Sequence, residues 1–274
     1  MNKEVKAGKT IEVIGIEKSF KSRDGILKVL DGITFKVDAA SLVCILGPSG
    51  SGKSVTLHII SGLLQKDKGK IMIGNEEVRK VKPGLFSFVF QNPRLLPWLT
   101  VEGNIKYILR YTGKTNKEMN EIIDKVLDTM HLLPFKKYYP HQLSGGMQQR
   151  VALARAWAFN SDIILMDEPF SSLDEITAIA LREELLRIWE RKRKTIIFVT
   201  HNIAEACYLA DKIVLLTPKP TKVFKEVLVP LERPRVFGED RSYEVVKKVF
   251  KLFEECLSSY KVTREDLMQE EEIR

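Results

Sequence analysis

"LVCILGPSGSGKS", residues 42–54, is the stretch whose reading decides the fold. "LVCIL" (42–46) is short and fully apolar, which suits a strand buried on both faces of a parallel sheet. "GPSGSGKS" (47–54) follows it without a break and fits GxxxxGK[ST]. A helix is expected over 53–63, so the glycines lie between a strand and a helix rather than in a linker. Gly47, Gly50 and Gly52 let the backbone curl inward, with Pro48, Ser49 and Ser51 between them, so that successive N–H groups face phosphate oxygens. The helix start adds its partial positive charge. In this pattern Lys53 reaches the β- and γ-phosphates of a nucleotide, and the Ser54 hydroxyl ligates Mg²⁺.

On either side of this loop, strands and helices alternate. "IEVIGIEKSF" (11–20) and "GITFKV" (32–37) alternate apolar and polar residues as strands, and "KIMIG" (70–74) and "FSFVF" (86–90) read as further strands. Helical spacing then takes over through 101–158, with turn signals near Thr112–Thr115 and Leu133–Pro140. "DIILMD" (162–167), "TIIFVT" (195–200), "KIVLL" (212–216) and "KVFKEVLV" (222–229) return to strands, with a long helix to about Lys192 and a short one after His201. The fold class expected is α/β. It is a phosphate-loop NTPase core with a mainly parallel sheet, an N-terminal antiparallel β part and an inserted helical subdomain. One ATPase domain is expected over 10–235, its core 10–91 and 161–235 and its helical insertion 92–160. Residues 236–274 form a C-terminal helical tail. In it Val246, Phe250, Phe253, Leu257 and Tyr260 have the spacing of a helix face packed on the core, and the acidic end "EDLMQEEEIR" is expected to fray.

Composition narrows the function classes. The chain has 274 residues, 44% of them hydrophobic and 29% charged, near the globular average. The net charge of +8 reads as a lysine-rich solvated surface, and no basic run is dense enough to argue for nucleic acid. "RKRK" (191–194), the longest such run, reads as the solvated end of a helix. Cys44, Cys207 and Cys256 are too far apart for a metal motif and are read as reduced thiols of a cytosolic protein. No stretch has the apolar length of a membrane span or a signal peptide, so work at a membrane would need another chain to cross it.

The remaining chemistry collects at strand ends, where open α/β sheets bind ligands. "IILMDEP" puts Asp167 at the end of an apolar strand, near the metal, and Glu168 beside it, able to polarise an attacking water. Gln91 and His201 each follow a core strand on the same edge. "LSGGMQQR" (143–150) is a second glycine-rich helix start, with Ser144 as its N-cap and Gly145 and Gly146 behind it. It offers a second anion site, which one phosphate does not need.

Taken in order, "GPSGSGKS", Gln91, "LSGGMQQR", "ILMDEP", "SSLD" (171–174) and His201 resemble the ATP-binding subunit of ABC transporters over roughly residues 10–230. The resemblance implies ATP and Mg²⁺ as ligands, with Ser54, Gln91 and Asp167 at the metal and Glu168, His201, Gln91 and Lys53 in catalysis. It implies that two copies pair head to tail, so that Ser144, Gly145 and Gly146 of one cap the γ-phosphate held by the other. Phe20 falls where the family sets an aromatic ring against adenine, and Asp174 in the loop that communicates across the dimer. Three departures stand out: Val55 where a Thr or Ser is usual beside the α-phosphate, Met147 for Gln, and "DAASLV" (38–43) without the common Gly-Glu turn.

"RLLPWLTVEGNI" (94–105) and "LLTPKPTKVFKEVLVPLERPR" (215–235) resemble segments of the importers for nitrate, sulfonates, taurine and pyrimidine-type precursors. The implied partners are transmembrane permease subunits, with the Trp98 region against their cytoplasmic helix, and indirectly an extracytoplasmic solute-binding protein. The implied location is the cytoplasmic face of the cell membrane, as a peripheral protein. The alternative is a soluble ABC ATPase acting on nucleic acid or the ribosome. Such relatives usually have tandem ATPase halves or a long coiled-coil insertion, neither of which occurs here.

Overall fold

The structure, a computed structural model, describes residues 8–22, 25–80, 84–171, 173–235 and 240–260. In chain order the first half forms β1 (Ile11–Ser22), β2 (Gly25–Val37), β3 (Leu42–Leu46), α1 (Lys53–Ser61), β4 (Lys68–Ile73), β5 (Glu76–Glu77), β6 (Phe86–Val89), α2 (Val101–Leu109) and α3 (Asn116–Thr129). The second half forms α4 (Gly145–Phe159), β7 (Ile163–Asp167), α5 (Glu175–Lys192), β8 (Thr195–Thr200), α6 (Ile203–Leu209), β9 (Lys212–Leu216), β10 (Val223–Leu228) and α7 (Asp240–Ser259).

Two sheets result. Strands β2-β1-β4-β5 make an antiparallel sheet, and β10-β9-β3-β8-β7-β6 make a six-stranded one. Within the second, β9, β3, β8, β7 and β6 run parallel and β10 is antiparallel at the edge. The expected fold class is borne out. The central parallel strand β3 is apolar along its whole length because both of its faces are covered. Leu42, Cys44 and Leu46 face one core, with Trp157 of α4 and Trp189 of α5. Val43 and Ile45 face the other, with Leu57 and Ile60 of α1 and Ile11, Val13 and Phe35 of the antiparallel sheet.

Helices α2, α3 and α4 occupy the stretch between β6 and β7, joined by short turns at 110–112, 133–135 and 140–142. Thr100 and Thr115 cap α2 and α3, and Thr115 forms a reciprocal capping box with Glu118. Arg155 of α4 ties these helices to the sheet edge. Its guanidinium donates to the carbonyls of Pro93 at 2.9 Å and Arg94 at 3.0 Å, just beyond Gln91.

Two local expectations are corrected. Helix α7 packs on the core as expected, with Val246 and Phe253 against it, but its buried face is turned from the one expected. Val249 and Cys256 are buried and Val245, Val246, Leu252 and Phe253 flank them, whereas Phe250 is half exposed. Apolar residues ring more than half of α7, so spacing alone left its rotation open. The "RKRK" run is not wholly solvated: Lys194 is buried, its ammonium on the carbonyl of Ser161, and desolvation pulls its pKa down to about 8. Trp98 is exposed, as a residue meant to meet another chain would be. All three cysteines are buried and free. The acidic end "EDLMQEEEIR" lies outside the described residues, as does Ser172 of "SSLD".

Candidate active site

The phosphate loop runs from the carboxyl end of β3 into α1. A methyl group at Gly47 would meet Ser51 Oγ at 2.8 Å and Leu216 Cβ at 3.2 Å. Gly52 is the N-cap of α1 at φ 77°, and a methyl there would meet Leu30 and Val29 at 2.9 Å. Both positions therefore need glycine, for space in one case and for a left-handed backbone as well in the other. The loop closes on itself through Lys53, whose ammonium donates to the carbonyls of Gly47 at 3.0 Å and Pro48 at 2.8 Å. Burial lowers the Lys53 pKa, and the nearby carboxylates Glu168 and Asp167 oppose that. The Ser51 hydroxyl is buried without a hydrogen-bond partner, an orphaned donor inside the loop.

Asp167 ends β7, and its Oδ1 accepts from Ser54 Oγ at 2.9 Å. Burial pushes the Asp167 carboxyl up, against the pull of that hydrogen bond. A hydroxyl and a desolvated carboxylate side by side are hard oxygen donors of the kind Mg²⁺ takes, so these residues fit the ion. Glu168 follows at φ 41°, a left-handed conformation costly for a residue with a Cβ. The break in the strand carries its side chain to His201, with Nδ1 3.1 Å from Oε2. Strain of this kind collects at functional sites.

Most of these groups line one cleft of about 570 Å³; Gly47, Pro48 and Asp167 do not, and Asp167 reaches it through its bond with Ser54. Ser49 to Val55, Gln91, Glu168 and His201 all line it, so the structure brings together residues from four separate stretches of the chain. Ser171, which opens "SSLD", and Lys219 line it too, and Lys219 was not anticipated. Lys219 could have been found only as a cation in the turn after β9, on the same sheet edge.

The rest of the expected set lies elsewhere. Phe20, on β1, is 37% exposed, with the Lys18 ammonium 5.4 Å from its ring centre, and it does not line the cleft. Ser144 and Gly145 are exposed at the start of α4, where Ser144 Oγ accepts from Met147 N at 3.3 Å. A methyl on Gly146 would touch Leu173 and Thr177, beside Asp174, which caps α5 through Thr177 N at 2.9 Å. A methyl on Gly145 would meet nothing.

The model of the family described as "ABC transporter" matches residues 30–171. This chain belongs to the ABC transporter family. The cassette is 41% identical over 247 residues to an aliphatic sulfonates import ATP-binding protein, SsuB, of Bacillus cereus, covering 89% of this chain and 96% of that one. It is 40% identical over 253 residues to an uncharacterised ABC transporter ATP-binding protein of Methanocaldococcus jannaschii, covering 92% and 94%. Among solved structures it resembles an ATP-binding cassette in a dimeric post-hydrolysis state bound to ADP and Pi. The TM-score is 0.74 and the identity 31%, over 81% of this chain and all of that one. The cassette is an ATP-binding, ATP-hydrolysing subunit. Among the described residues, no helix is long and apolar enough to cross a membrane.

Proposed function

We propose that this ABC ATPase powers import of small organic anions of the sulfonate type, as a homodimer with ATP between its copies, at the cytoplasmic face of a permease. The observation that carries the reading is the division of the chain's own anion sites. The cleft collects Lys53, Ser54, Gln91, Glu168 and His201, while Ser144 and Gly145 stand exposed outside it. Among the described residues, nothing lies within 4 Å of a methyl at Gly145, so packing there does not call for glycine. An absent Cβ at an exposed helix start leaves room for a phosphate delivered by another molecule.

In this reading Lys53 and the loop N–H groups hold the β- and γ-phosphates, and Val55 faces the α-phosphate without a hydroxyl to offer it. Ser54, Asp167 and Gln91 are the oxygen donors for Mg²⁺, which when bound offsets charge on the β- and γ-phosphates. The Glu168 carboxylate takes the proton of the attacking water as its oxygen bonds to the γ-phosphorus, and ADP leaves with phosphate formed. His201 holds the carboxylate in place. Ser144, Gly145 and Gly146 of the second copy cap the γ-phosphate, with Asp174 at the same face. Phe20 stacks on adenine from β1.

The permease joins at a groove of about 410 Å³ beside Gln91, lined by Phe86, Phe88, Phe90, Ile108, Tyr111 and Phe159. Its aromatic walls suit the apolar face of a helix. Arg155 lines this groove and also holds the carbonyls of Pro93 and Arg94, so a helix pressing there moves the segment that carries Gln91. Membrane vesicles carrying the cognate permease, binding protein and this chain should take up a labelled alkanesulfonate with ATP inside, and Glu168→Gln should stop it. No uptake by the wild type, or uptake that survives Glu168→Gln, contradicts the proposal.

A further inference from the structure

We propose that Lys219 is a second phosphate-binding cation of the ATP site, supplied by the turn between β9 and β10. This rests on reading the cleft as the ATP site. Two lysines sit in that turn, and they differ in what they do. Lys222 pairs with Asp31 at 3.1 Å, and Lys28 closes on the same carboxylate. Lys219 is exposed, lines the cleft, and has no ion pair among the described residues.

The turn is not free to drift. Thr217 and Lys222 close it: Thr217 N donates to the Lys222 carbonyl at 3.0 Å and Lys222 N to Thr217 Oγ1 at 2.8 Å. Fully buried Thr221 then fastens it to the phosphate loop, its Oγ1 donating to the carbonyl of Ser51 at 2.7 Å. A two-way tie to β2 completes the attachment, Thr221 N to the Val29 carbonyl and Asp31 N to the Thr221 carbonyl, each 2.9 Å. The backbone that carries Lys219 thus moves with the loop.

Lys219 shares the cleft wall with Ser49, Gly50 and Ser51, the part of the loop that curls around phosphate oxygens. The other cation there, Lys53, is buried and already bonded to two loop carbonyls. A triphosphate carries more negative charge than Lys53 and a bound Mg²⁺ together would offset. An unpaired ammonium at the mouth supplies the balance, and it acts through charge because it is exposed to water.

Equilibrium titration of the full chain with Mg-ATP, Mg-ADP and AMP tests this. Lys219→Gln should weaken ATP about three- to tenfold, ADP less and AMP least, as expected for one exposed charge against a growing number of phosphates. Lys219→Glu should lose more, Lys219→Arg should keep wild-type affinity, and the ATP loss should shrink as salt rises. Unchanged affinities in Lys219→Gln, or an equal loss for all three nucleotides, overturn the proposal while wild-type ATP binding leaves the site reading standing. A wild type that binds no ATP, while its melting curve shows a folded protein, overturns both.

Discussion

Ala40 occupies the third position of the turn from Asp38 to Ser41 at φ 58°. That position of a type II turn calls for glycine, because a Cβ is strained there. This is the turn where "DAASLV" lacks the family's glycine. Ala40→Gly should therefore stabilise the protein by about 0.5–1 kcal/mol, relief of strain outweighing the added freedom of the unfolded chain. Chemical denaturation measures this, and a destabilised variant contradicts it. Single residues differ in how far the sequence exposes their roles. Lys53 and Ser54 were legible because the loop that fixes them is contiguous. Lys219 was not, since its meaning depends on a buried threonine that fastens its turn to a loop 170 residues away.

At the scale of elements, the helices that follow the two catalytic strand ends are joined by a buried ion pair. Arg182 of α5 lies 3.6 Å from Glu205 of α6, and both are nearly inaccessible to water. Burial pushes the Glu205 carboxyl from 4.5 up to about 7, Arg182 and a hydrogen bond from Thr200 pull it down, and Glu168 and Glu175 push it up further. Between these values the folded chain holds a proton that the unfolded chain has released. Stability from this group therefore falls as pH rises through that window, by at most about 1.4 kcal/mol per pH unit, and is level above it. Glu205→Gln removes the titration, so its stability relative to wild type should improve from about pH 4.5 to 7 and then stay constant. Urea midpoints across that range give the answer, and a difference that ignores pH refutes it. Element identity was largely readable because strand and helix periods differ. The face of α7 was not, because Val246, Phe250 and Phe253 fit a helix stripe as well as Val249, Leu252 and Cys256 do.

At the scale of the whole molecule, the two-sheet cassette gathers residues from distant stretches of the chain into one cleft and leaves α4's glycine-rich start outside it. The six motifs were readable in order, but their separation in space was not, because it depends on how α4 stands against the sheet. The central claim is that each ATP is held by two copies. Glu168→Gln keeps the shape of the site and removes the base, which should slow hydrolysis by a factor of about 10²–10⁴. Lys53, Ser54 and Asp167 remain, so ATP stays bound and the caught γ-phosphate should hold Ser144–Gly146 of a second copy. Size-exclusion chromatography of Glu168→Gln with and without Mg-ATP is the most direct measurement. We expect a monomer without nucleotide, a dimer with Mg-ATP, and loss of that dimer when Ser144→Arg is added while nucleotide binding persists. A Glu168→Gln protein that stays monomeric with Mg-ATP, or a dimer indifferent to Ser144→Arg, would contradict the account.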